Sequence, residues 1–140
     1  MDLKSTLDNL TVYAPNPTDF WLLNQAIDLG DGGALETVLR DWASRFGHTL
    51  RPPEGRNPTV GLSKEEVAEH IASRLSRDIM FNSRGFDESE SLAMAELLVS
   101  SFGITDGVAS DFVIRDWTFC DLLMCTGQTF SIVIAWLGED

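Results

Sequence analysis

The sequence predicts an α+β domain: about four amphipathic helices packed with a small C-terminal antiparallel hairpin or sheet, with an all-α bundle as the alternative. Three observations lead there. Over the first hundred residues apolar side chains recur at helical spacing, and glycines stand where helices should stop. Between 129 and 136 the pattern changes to β-branched and aromatic residues, with Phe130, Ile132, Ile134 and Trp136 at period two. The whole chain has 140 residues, 44% of them hydrophobic, which suits one ordinary globular domain over residues 1–140 with a core of its own.

After Pro15-Asn16-Pro17, Thr18 is placed to cap a first helix with Phe20, Leu23 and Ile27 on one face and Gly30 at its end. The next helix carries Leu35, Val38, Leu39, Trp42 and Phe46 as a single stripe, and Gly47 supplies the left-handed stop. Arg51 to Gly61, with three prolines and two glycines, reads as an ordered surface loop. Ser63-Lys64-Glu65-Glu66 is a capping box, stapled by Leu62 and Val67, that starts a third helix buried through Ala68, Ile71, Leu75 and Ile79. That face continues toward Met80 and Phe81, and Asn82-Ser83-Arg84-Gly85 breaks it. A fourth helix begins near Asp87 or Ser89, buries Leu92, Ala95, Val99 and Phe102, and stops at Gly103 with Ile104 closing a Schellman contact.

The last thirty residues are read as a hairpin. Thr126-Gly127-Gln128 is the expected turn, and Phe112 to Cys125 are expected to supply the partner strand or strands, because one lone strand leaves its backbone groups unpaired. Val113, Trp117, Cys120 and Met124 also fit one helical face, so periodicity alone leaves both readings open for this stretch.

Charge is the most informative functional signal. Ten Lys and Arg against 22 Asp and Glu give a net charge of −12, which repels phosphate backbones and speaks against direct nucleic-acid binding. The excess is regional: residues 40–84 are mildly basic, whereas residues 85–140 hold Arg115 alone against ten acids. Asp111, Asp116 and Asp121 are interleaved with aromatic residues, an arrangement in which carboxylates surround apolar anchors as an interface needs. The expected partner-binding residues are therefore Asp87, Glu88, Glu90, Asp111, Asp116, Trp117 and Asp121. The partner expected for them is a basic protein such as a nuclease or other toxin or effector, which a small non-catalytic inhibitor would mask as immunity proteins, antitoxins and anti-defence proteins do. Solvation alone is the plain alternative for the same charge.

Other chemistry finds less support. Arg74, Arg77 and Arg84 make a modest basic edge that suits RNA or an acidic partner, but Glu65, Glu66 and Glu69 share its helix. A metal-dependent hydrolase would draw on Glu96, Asp111, Asp116 and Asp121, yet a strand puts Asp116 on the face opposite Asp111 and Asp121. His48 and His70 are 22 residues apart without a companion at metal-ligand spacing, and His70 is read as a polar-face residue between Glu66 and Arg74. The Asp28 to Gly33 stretch lacks cation-loop and phosphate-loop spacing and reads as a helix stop followed by a helix start. Cys120 and Cys125 are expected to be reduced and largely buried, with Asp121 opposing any activation of Cys120. No catalytic residue, metal or cofactor is expected. The chain opens Met-Asp-Leu-Lys without an export pattern and its longest apolar run is Ile132 to Leu137, so neither membrane spanning nor export is expected and a cytoplasmic location is.

Overall fold

A computed structural model of the protein describes residues 18–51, 60–76, 87–110, 113–114 and 119–138. Its centre is the C-terminal hairpin, β6 (Phe119–Thr126) and β7 (Ser131–Gly138), paired antiparallel with Leu123 opposite Ile134. β1 (Thr18–Leu23) joins the outer side of β7, while β4 (Asp106–Ser110) and then β3 (Val60–Ser63) extend the sheet beyond β6, giving the order β1-β7-β6-β4-β3. All four pairings are antiparallel. β2 (Leu50–Arg51) and β5 (Val113–Ile114) form a separate two-stranded ladder.

Among the described residues three helices cover the sheet. α1 (Gly32–Arg45) lies on one face, while α2 (Lys64–Ser76) and α3 (Glu88–Phe102) pack together on the other. The two sides of the hairpin feed different cores. Leu123, Cys125, Ile132, Ile134 and Trp136 meet Val67, Ile71, Leu75, Met94, Leu98 and Ile104, whereas Leu122, Met124, Val133 and Ala135 meet Leu35, Leu39, Trp42 and Leu50. The fold is thus α+β with the sheet between two helical layers, and the all-α alternative is excluded.

The period-two face Ile132, Ile134 and Trp136 lies as expected on one side, with Phe130 partly buried beside it. The helical reading of Cys120 to Met124 is overturned. Both faces of β6 are covered, so its apolar residues run on without the alternation that marks a half-exposed strand.

Residues 18–23 are a strand, contrary to the helix expected there, so the helices number three among the described residues. Trp21 and Leu23 turn toward the α1 core while Leu22, between them, is 45% exposed. Phe20, Leu23 and Ile27 mimic a helical stripe, but the open edge of β7 offers hydrogen bonds to a chain of aromatic residues that favours the pleat. Ile27 serves another purpose: its N–H donates to Ser131 Oγ at 3.0 Å and Thr126 Oγ1 at 3.3 Å, joining this segment to the turn end of the β6–β7 hairpin.

The proline-rich segment is bounded by structure rather than being loop throughout. β2 takes Leu50–Arg51 and β3 begins at Val60, with residues 52–59 outside those described. Ile79, Met80, Phe81 and the expected break at 82–85 lie outside them as well.

Helix boundaries follow the caps. Asp31 accepts from the amides of Gly33 and Ala34, and Asp28 accepts from the amide of Gly30, so the Asp28–Gly33 carboxylates turn the chain into α1. What precedes them is strand β1 and a bend, not the end of a helix. At the other ends, Gly47 and Gly103 adopt left-handed φ values of 73° and 62°. His48 N–H bonds to Ala43 and Ile104 N–H to Val99, the six-to-one bonds of Schellman stops. Leu35, Val38, Leu39 and Trp42 are buried as expected, but Phe46 emerges past the core.

Among the described residues, no helix is long and apolar enough to cross a membrane.

Candidate functional site

The residues expected to bind a partner fall into three groups. Asp87 is the N-cap of α3, its Oδ1 accepting from Ser89 N, Ser89 Oγ and Glu90 N at 2.9, 2.7 and 3.3 Å. Glu88 and Glu90 occupy the first turn of that helix and are exposed. Asp111, Asp116 and Trp117 lie outside the described residues.

Asp121 turns inward instead of joining an outer acidic face. Its side chain is 12% exposed, and Oδ2 accepts from Arg74 Nε at 2.6 Å and sits 2.6 Å from His70 Nε2. Burial pushes this carboxyl upward, but the hydrogen bond and charge of His70 and the charge of Arg74 outweigh it and hold Asp121 below its usual range. The His70 ring also leans on Trp136, with centroids 5.7 Å apart. β6 supplies the acid and α2 the two nitrogen bases, so an acid from the acidic third of the chain is answered by a base from its mildly basic middle. The i+4 spacing of His70 and Arg74 puts both on the helix side that meets the sheet, which corrects the polar-face reading of His70.

The surface carboxylates sort by layer. On α1 the charges balance, with Arg40 3.1 Å from Glu36 and Arg45 3.5 Å from Asp41, and Arg45 also stacks over Trp21. The α2–α3 layer is different: within the two helices six carboxylates stand against Lys64 and Arg74, and Arg74 is engaged by Asp121. Glu66 serves the capping box, accepting from Ser63 N at 3.1 Å while its own amide donates to Ser63 Oγ at 3.2 Å. The Ser63 amide, and after it the Ser63 hydroxyl, hold its carboxyl below the ordinary range.

Between α2 and α3 runs an open groove of about 940 Å³. Its apolar lining comes from Ala68, Leu92, Val99 and Ile104, and its acidic lining from Glu65, Glu69 and Glu96, with Lys64 as the single cation. Glu65 and Glu69 project from one side of α2 at i, i+4, and Leu92 and Glu96 do the same from α3. Among the described residues no cation pairs with Glu65, Glu69 or Glu96. Leu92, expected in the core, is 39% exposed at the groove. Charge position along the chain did not reveal this site, because its carboxylates come from both sides of the basic-to-acidic boundary. The helical spacing of Glu65 with Glu69 was the available signal.

No protein-family model, curated protein or solved structure matches this chain. Its function is to be inferred from its own geometry.

The groove offers carboxylates and an apolar floor. Ser63 Oγ serves the cap and Thr105 Oγ1 donates to Asp106 Oδ1 and to the Thr126 carbonyl. No group of three or more His, Cys, Asp or Glu side chains among the described residues is arranged to hold a metal ion. The hydrolase reading drew on Asp121, whose Oδ2 is taken up by Arg74 and His70. His48 stacks on Trp42 at 5.2 Å. Cys125 is a buried free thiol, pushed well above its usual range by burial and by Asp106, whereas the side chain of Cys120 lies outside the described ones.

Proposed function

We propose that this chain is a small non-catalytic inhibitor that binds a basic protein and masks the surface with which that protein engages nucleic acid, in the manner of immunity, antitoxin or anti-defence proteins. The observation that carries the reading is the separation of charge between the two helical layers: ion pairs balance α1, while acids dominate α2 and α3. Acids needed only for solubility have no reason to gather on one face; acids that match a cationic surface do. The chain's net charge of −12 keeps it off nucleic acid itself and steers it toward cationic protein surfaces. A cytoplasmic location belongs to the same proposal and agrees with the free thiol of Cys125.

The test is affinity capture from the native host at low and at high salt, followed by an activity assay of the captured protein. One basic nucleic-acid-acting protein, released as ionic strength rises and silenced when this chain is added back, is the expected result. Capture that brings down no basic protein, or a captured protein whose activity is unaffected, overturns the reading.

A further inference from the structure

The α2–α3 groove has a composition that charge alone does not require. A surface that merely attracts cations can be flat and polar, whereas here Ala68, Leu92, Val99 and Ile104 form an apolar floor beneath Glu65, Glu69 and Glu96. The floor continues the main core: Val99 and Ile104 are 5% and 2% exposed, so the walls stand on packed side chains and are formed before anything binds. Leu92 alone of the large apolar residues on α3 is more than a third exposed, placing an apolar contact where a partner can reach it.

We propose that this groove is the docking site for a basic amphipathic segment of a partner protein, whose apolar side chains pack against Leu92 above the nearly buried Ala68, Val99 and Ile104 while its Lys or Arg residues pair with Glu65, Glu69 and Glu96. The proposal rests on the inhibitor reading and gives it a place and a partner chemistry. A volume of about 940 Å³ accommodates several side chains, more than a small ion needs. Grooves between paired helices take an amphipathic helix through its apolar face. Charge decides which helix: three Glu against Lys64 select a basic one. The chain's own first seventeen residues hold Asp2 and Asp8 against Lys4, and their charge does not match.

A synthetic helical peptide of Leu and Lys with the leucines on one face is the probe, beside a Ser/Lys peptide of equal charge and a Leu/Glu peptide of opposite charge. Affinity is read by fluorescence anisotropy and position by amide chemical-shift changes. The Leu/Lys peptide is expected to bind best and to shift Ala68, Leu92, Val99 and Ile104. Leu92→Asp separates the two contributions, since it adds a negative charge while removing the apolar contact. It is expected to weaken Leu/Lys binding by about tenfold or more. The triple variant Glu65→Gln, Glu69→Gln and Glu96→Gln is expected to weaken binding and flatten its salt dependence. All four positions are exposed, and thermal melts of the variants check the fold.

Equal affinity for Ser/Lys and Leu/Lys peptides, shifts confined to other residues, or unchanged or tighter binding by Leu92→Asp overturns the groove. The two proposals fail separately. A captured effector that Leu92→Asp still holds and inhibits rejects the groove and leaves the inhibitor, whereas groove binding of the peptide without any basic effector in the host rejects the inhibitor and leaves the groove.

Discussion

Asp121 shows how a single residue changes meaning between sequence and structure. As one of ten acids in residues 85–140 it looked like part of an outward surface; in the fold it is a nearly buried acceptor for Arg74 and His70. Its pKa is lower folded than unfolded, so its stabilisation is complete above the unfolded value of 3.8 and disappears as pH falls through the folded one. Asp121→Asn is expected to destabilise by about 3 kcal/mol near neutrality, the lower end for a broken buried pair because Arg74 and His70 retain some solvent. Thermal melts across pH should show the gap between wild type and variant closing below pH 3.8. Two small residues give predictions of opposite sign. A Cβ on Gly107 would lie 2.6 Å from Val67 Cγ2 and 3.1 Å from the Met124 carbonyl, and a valine at a helix–sheet contact has little room to give. Gly107→Ala should therefore lower stability by about 1–3 kcal/mol in chemical denaturation. Ser91 is fully buried and its hydroxyl has no partner among the described residues, so Ser91→Ala should raise stability, by up to about 1 kcal/mol in the same measurement.

Among the elements, α2 and α3 were the most legible because several local signals agreed: an apolar stripe, a cap at the start and, for α3, a glycine at the end. The Ser63–Glu66 box forms both of its reciprocal bonds, and Ser63→Ala should destabilise α2 by about 1 kcal/mol, measurable as a lower melting temperature. Ser63 also lines the groove, so this variant should also weaken peptide docking. β1 was misread because three apolar residues at helical spacing do not reveal whether a neighbouring strand edge awaits them. β6 stayed ambiguous for a related reason: period carries information only when one face is wet, and both of its faces are dry. β3 and β4 were missed since each is short, and Gly61 and Gly107 weaken any strand signal. Leu92 belongs to this scale too. Its position on the α3 stripe is right for burial, but the crossing of α2 and α3 leaves it at their groove.

For the whole molecule the prediction is electrostatic. Association with a basic partner should slow as ionic strength rises, and neutralising Glu65, Glu69 and Glu96 together should reduce that slope. Exchanging the α1 pair, Glu36→Gln with Arg40→Gln, should leave the slope unchanged, because that layer is already balanced. Stopped-flow kinetics over a salt series distinguishes the two; equal effects from both layers would remove the basis for a directed face. Sequence alone determined helices α2 and α3 with their caps, the strand character of residues 129–136 and the overall sign of the charge, and it favoured the α+β class. Each of these depends on neighbours a few residues apart or on a simple count, and such quantities are present in the unfolded chain. Only the tertiary structure decided that Asp121 is spent internally, that residues 18–23 add a strand, and that Glu65, Glu69 and Glu96 share one groove with Leu92. These depend on which surfaces the sheet and helices bring together across long stretches of sequence, and helical or strand periodicity holds no record of that.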